Sequence, residues 1–269
     1  MGIERETTII SSGRNFFPKG AFFYSTKRIA ELARNVGYEG VEFLPTWRFV
    51  WEMKRYGKLL APEGMVASGH RDWRFDRVMQ AINEGKPSWL YQFKTKGDLL
   101  FPPSSLCREA LQQFQKVYRV AVSTIHFNDT KNFSPVMLEI INKRESLGYI
   151  DLMEWLREDP KNRGVVLDTD KISLWLEDNN LADDKDRIIS ELIPFTSEIH
   201  YRSFLERYPG RQERSGKNLQ TILSLGFKGR VVVEFGWPDM ENSPFGLFKE
   251  DLNVFKKIHK RLIAFVRNF

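Results

Sequence analysis

From one end of this 269-residue chain to the other, short apolar, β-branched runs alternate with longer stretches of helical periodicity. That pattern belongs to an α/β protein with a parallel sheet. Its clearest unit is Thr26–Phe43, where Ile29, Ala30, Leu32 and Ala33 share one helical face, Gly37 closes the helix and Gly40-Val41-Glu42-Phe43 opens a strand. The unit recurs near the C-terminus. There Leu219, Ile222, Leu223 and Leu225 form the helix face, Gly226 ends it, and Val231–Phe235 is the next strand.

Expected strand ends fall at Ser11 or Ser12, Phe43, His70, Phe101, Glu139, Asp168, His200 and Glu234. A step of roughly 30 residues and eight strands fit the scale of a (β/α)8 TIM barrel. A doubly wound sheet would be expected to carry a G-x-G-x-x-G or Walker loop after its first strand, and the sequence has neither. The expectation is therefore one α/β domain over residues 1–269, a single (β/α)8 barrel. The fourth strand is assigned to Leu99–Phe101, after a Trp- and Lys-containing excursion over the barrel mouth. Val120–Phe127 is the competing choice, set aside because too few residues separate it from Val136–Ile140 for the crossover helix of a parallel pair.

Composition limits the function classes. With 28% charged residues mixed along the chain, a disordered or low-complexity protein is excluded. No run approaches the roughly 18 apolar residues of a membrane helix, and the first residues lack an apolar leader core. Cys107 is the only cysteine, which excludes an intrachain disulfide and a thiolate zinc site. A cytoplasmic protein is expected. The net charge of +6 invites a nucleic-acid partner, but the basic residues form no single tract.

In a barrel the chemistry sits at the C-terminal strand ends. Four consecutive strands each bring a metal-binding side chain there: Glu139, Asp168, His200 and Glu234. Three carboxylates and one imidazole suit Mn²⁺, Mg²⁺, Co²⁺ or Zn²⁺. Without a cation, converging carboxylates would repel and raise one another's pKa. His70 ends the third strand, as a substrate contact, a second metal ligand or a packing residue. Trp47, Trp73 and Trp237 closely follow strand ends, where an indole can cover the apolar face of a sugar ring or simply pack. His126 lies in the doubtful segment, and His259, among Lys256, Lys257, Lys260 and Arg261, is expected on the surface.

The run Glu31–Phe43, with Leu138-Glu139-Ile140-Ile141-Asn142, Leu167-Asp168-Thr169-Asp170-Lys171, Ile199-His200-Tyr201-Arg202-Ser203 and Val233-Glu234-Phe235, resembles the xylose-isomerase-like TIM barrels. That superfamily contains sugar isomerases, ketose epimerases, inosose dehydratases and apurinic-site endonucleases. The resemblance implies one divalent metal on Glu139, Asp168, His200 and Glu234, with Glu139 and Glu234 also acting as acid and base. It implies a small sugar or polyol as substrate, with Glu42 supporting the site; His70, Lys171, Arg202 and Trp237, at or just after strand ends, are the expected substrate contacts. Barrels of this superfamily often dimerise, so a homodimer is a further expectation.

Several positions depart from the pattern. Strand six usually ends Leu-Asp-Thr-Gly-His, where this chain has Asp170 and Lys171; strand seven usually ends His-x-Lys-Asp, where it has Arg202 and Ser203; strand four often ends His-Pro, where the assignment gives Phe101-Pro102. Lys171 can hold a substrate hydroxyl or phosphate, or be a solvated loop residue. The missing histidines argue against the multi-zinc endonuclease branch, which remains the enzymatic alternative. A non-catalytic sugar- or partner-binding barrel is the other.

Overall fold

The computed structural model describes residues 7–12, 25–61, 66–71, 104–142, 146–203, 209–235 and 252–268. Strands β1 (Thr8–Ser12), β2 (Gly40–Phe43), β3 (Val66–Arg71), β4 (Val122–Thr124), β5 (Val136–Ile140), β6 (Arg163–Asp168), β7 (Thr196–Ser203) and β8 (Arg230–Phe235) pair in parallel in sequence order. Pairing of β8 back onto β1, from Thr8↔Arg230 to Ser11↔Val233, closes the sheet into an α/β barrel.

Helices α1 (Thr26–Val36), α2 (Trp47–Tyr56), α3 (Ser104–Tyr118), α4 (Tyr149–Glu158), α5 (Ile172–Asp178), α6 (Lys185–Leu192), α7 (Pro209–Ser224) and α8 (Leu252–Arg267) lie between the strands or after them. As the sequence predicts, α1 buries Ile29, Ala30 and Ala33 and stops at Gly37, whose φ of 103° favours glycine. Its N-cap is Ser25, whose hydroxyl accepts from the Arg28 N–H at 3.2 Å. In α3, Ala110, Leu111 and Phe114 are buried, whereas Val117 is exposed.

Two expectations need correction. The fourth strand is Val122–Thr124, pairing with β3 through His70↔Ser123 and with β5 through Ser123↔Met137. Leu99–Phe101 falls outside the described residues. The return from β4 to β5 uses a 3-10 helix, Phe127–Asn132. Rising about 2.0 Å per residue against 1.5 Å for an α-helix, it spans the barrel height with fewer residues than the crossover argument allows. Nor is His259 on the surface: it is fully buried on α8, and its Nδ1 is 2.5 Å from the Tyr38 hydroxyl. Helical spacing places it on the same face as Leu262, Ile263 and Val266, which pack into the apolar shell.

The strands sort their side chains by alternation. Ile9, Val41, Val122, Val136, Leu138, Val165, Leu167, Ile199, Tyr201, Val231 and Val233 join the helices in one apolar shell. Ile10, Met137, Val166 and Val232, one position out of phase, are buried apart from that shell and fill the barrel interior. Between β6 and β7 the register slips: Val165 pairs with Thr196 but Val166 with Glu198, so Ser197 is an extra residue. Since a slip of one residue exchanges the two faces of a strand, this bulge sets Glu198, His200 and Arg202 in the interior phase. Gly164 lies beside it on β6, where a Cβ would come within 2.8 Å of the Phe195 carbonyl oxygen.

Candidate metal and catalytic site

Above the apolar plugs, the interior phase turns polar. Ser12, Glu42, Ser123, Glu139, Asp168, Glu198, His200 and Glu234 are all buried. Many of the outward neighbours of these positions, among them Val41, Phe43, Leu138, Leu167, Ile199, Tyr201 and Val233, belong to the apolar shell, so the shell that holds the strands together also fixes the site.

His200 is the centre of the cluster. On one side its Nε2 is 3.1 Å from Glu42 Oε1 and 3.3 Å from Glu198 Oε1. On the other, its Nδ1 is 3.7 Å from Glu139 Oε1 and 4.0 Å from Glu234 Oε1. Ser12 donates to Glu42 Oε2 at 3.2 Å, and Arg230 Nε is 3.1 Å from Glu198 Oε2. Arg202 joins the other two carboxylates: its Nη2 is 2.7 Å from Glu234 Oε2 and 3.5 Å from Asp168 Oδ2. Asp168 Oδ1 accepts from the backbone N–H groups of Asp170 at 2.8 Å and Lys171 at 3.2 Å, which fixes the carboxylate at the turn.

The charges explain the arrangement. Burial works against an imidazolium, but Glu42 and Glu139, with a hydrogen bond to Glu198, outweigh it and raise His200 well above the usual histidine range. Burial pushes the Asp168 carboxyl up to about 6, with Glu139 and Glu234 adding to the rise and Arg202 opposing it. Among the described residues, counted as ionised, the carboxylates of Glu42, Glu139, Asp168, Glu198 and Glu234 face three cations, His200, Arg202 and Arg230, an excess of two negative charges. Such an excess in a buried site favours a divalent cation. Asp168 Oδ2, shielded from solvent, accepts no hydrogen bond among the described residues. An oxygen-rich donor set with one imidazole, in which Asp168 Oδ2 meets only the Arg202 guanidinium at 3.5 Å among the described residues, fits a hard or borderline metal ion.

The sequence-predicted ligands Glu139, Asp168, His200 and Glu234 thus surround one region. The tightest potential metal set among the described residues is a different one: Glu42, Glu198 and His200, whose ligand atoms lie within 4.8 Å of one another. Glu198 was not singled out from the sequence, although it stands two residues before His200 and so on the same side of β7. Glu42, expected as support, stands as a charge partner 3.1 Å from His200 Nε2. Arg202 contacts the carboxylates, and Lys171 pairs with Asp170 at 3.5 Å. Ser203 belongs to the outward phase and donates to Gln212 Oε1 at 3.3 Å, so its departure from the usual aspartate touches strand–helix packing. His126 follows β4 at the barrel mouth, its N–H donating to Thr124 Oγ1 at 3.4 Å. With β4 corrected, Thr124 rather than Phe101 ends that strand. His70 sits on β3 in register with Ser123, its side chain outside the described residues, as are Phe101, Trp73 and Trp237. Trp47, at the start of α2, is 46% exposed.

No protein-family model matches the chain, and no curated protein matches it. Similar solved structures include a xylose isomerase domain containing protein from Salmonella typhimurium LT2, with 13% identity, 99% of each chain covered and a TM-score of 0.49. Another is D-allulose 3-epimerase from Methylomonas sp., with 11% identity, 100% of this chain and 99% of that one covered and a TM-score of 0.46. A sugar phosphate isomerase/epimerase from Parabacteroides distasonis ATCC 8503 matches with 12% identity over 97% and 99% of the two chains, at a TM-score of 0.43. Each likeness runs over nearly the whole of both chains.

Proposed function

We propose that this chain is a single-domain (β/α)8 barrel that isomerises or epimerises a small sugar or polyol with one divalent metal bound by Glu139, Asp168, His200 and Glu234. The observation that carries the reading is the approach of Glu139 and Glu234 to the same His200 nitrogen, at 3.7 and 4.0 Å, in a buried site with excess negative charge. A divalent cation there would draw electrons from a chelated carbonyl and acidify the neighbouring C–H. Glu139 and Glu234 carry the protons: one carboxylate removes the proton beside the carbonyl, and the other returns one to the opposite face or to the adjacent oxygen. Return to carbon inverts the centre, and transfer to oxygen with return at the next carbon exchanges ketose and aldose. Arg202 holds Glu234 through Oε2, with Glu234 Oε1 toward His200. Glu198, hydrogen-bonded to His200 Nε2 at 3.3 Å, and Glu42, 3.1 Å from the same nitrogen, orient the imidazole so that Nδ1 faces the other carboxylates.

Incubating the metal-supplemented protein with a panel of ketoses and aldoses in D₂O tests the reading. Deuterium should enter the carbon next to the carbonyl, and Glu139→Gln and Glu234→Gln should stop it. A folded, metal-loaded wild type that exchanges none of the panel would contradict it. One observation favours a second reading, a non-catalytic sugar-binding barrel: Arg202 already bridges Asp168 and Glu234 as a cation.

A further inference from the structure

Next to the acidic cluster the barrel mouth carries a second charged group, with its sign reversed. Asp170, two residues beyond the end of β6, is fully buried. Arg211 of α7 closes on it with both arms of its fork: Nε lies 3.1 Å from Oδ1, and Nη2 bonds Oδ2. That pairing already satisfies the carboxylate. Yet Arg214 Nη2 also stands 3.5 Å from Oδ1, and Lys171 Nζ 3.5 Å from Oδ2.

Among the described residues, one carboxylate, Asp170, offsets one of the charges in this cluster. The remaining two positive charges crowd together at a cost in mutual repulsion that Asp170 does not require. The three side chains are 30%, 39% and 40% exposed for Lys171, Arg211 and Arg214, so they cover the buried carboxylate and meet solvent at the mouth. Arg214 Nε is shielded from solvent and meets no acceptor among the described residues. The place is the same end of the barrel as the acidic cluster: Asp170 and Lys171 follow Asp168, the Asp170 N–H donates to Asp168 Oδ1 at 2.8 Å, and α7 follows β7.

We infer that Lys171, Arg211 and Arg214, braced on Asp170, form a subsite for an anionic group on the substrate, a phosphate monoester or a carboxylate. Arginine forks and an ammonium group supply the donors such an anion needs, and the buried aspartate preorganises them. The inference rests on the proposed isomerase site for the identity of the molecule that carries the anion.

The test is calorimetric titration of the full-length, metal-supplemented protein at low salt with inorganic phosphate, D-fructose 6-phosphate, D-glucuronate and D-fructose. At least one anionic probe should bind about tenfold more tightly than D-fructose, the worth of one charge-assisted hydrogen bond. In the Lys171→Gln/Arg214→Gln double variant that preference should vanish, with the unfolding midpoint and metal content held. Preference for the phosphate probes or for glucuronate tells the two anions apart. Equal binding of anionic and neutral probes by the wild type, or a preference that survives the double variant, would overturn the inference. Anion binding lost in the variant without turnover of any sugar would keep the subsite and sink the isomerase reading; turnover without anion preference would do the reverse.

Discussion

His200 and His259 are equally hidden, at 1% and 0% exposure, yet their surroundings give them opposite chemistry. Around His200 the barrel interior places Glu42, Glu139, Glu198 and Glu234 within 4.0 Å, which favours the charged ring. Around His259, α8 meets the apolar shell and the Tyr38 hydroxyl, and burial pushes its pKa down to about 3. Burial therefore does not mark a functional histidine. The converging charges do, because a structural site can be satisfied by one neutral hydrogen bond.

The sharpest way to break this contrast is to remove each ring. His200→Asn should lower turnover by about 10³-fold or more, the scale of losing a positioned catalytic group, while His259→Gln should leave turnover within about threefold. Comparable losses in both would erase the distinction. Next comes Glu198→Gln, which removes an outer carboxylate from His200; metal affinity should fall about 10- to 100-fold, as for other carboxylate–histidine pairs. Unchanged affinity would mean that Glu198 serves the Arg230 pair alone.

A smaller effect sharpens the His259 side. Its pKa is depressed in the folded protein, so below about pH 6.5 the unfolded chain takes up a proton that the folded chain refuses, down to about pH 3. Stability is lost as pH falls through that window, by about 2 kcal/mol at pH 5. In His259→Gln the stability difference between pH 7 and pH 5, measured by reversible denaturation, should shrink by about that amount. An unchanged difference would place the acid sensitivity elsewhere. At the low end, Arg187→Gln on α6 breaks exposed pairs to Asp184 and Glu191, and the unfolding midpoint should move by no more than about 2 °C.

Much of this contrast was legible in the sequence, but unevenly. Glu139, Asp168 and Glu234 stand out because each interrupts an apolar strand near its end, whereas His200 lies within the more polar β7. Glu198 was legible too, by its spacing of two from His200. The burial of His259 was hidden by lysines on both sides, although its spacing to Leu262, Ile263 and Val266 marks the inner face of α8. The fourth strand was lost for a different reason. A crossover was expected to be an α-helix, and the short 3-10 return from β4 to β5 breaks that expectation while bringing His126 to the mouth. The Asp170 cluster could not be seen at all from local pattern, because it joins a loop after β6 to the first turns of α7, forty residues away.

The buried charge excess around His200 is expected to hold a divalent metal. The most direct test is elemental analysis of the purified protein after incubation with Mn²⁺, Co²⁺ or Zn²⁺ and removal of the free ion, with His200→Ala and Glu234→Gln measured alongside and their folding checked by circular dichroism. About one ion per wild-type chain, lost in both folded variants, is the predicted result. A wild type that retains no ion would contradict it, leaving Arg202, His200 and Arg230 as the cations that the carboxylates were built to meet.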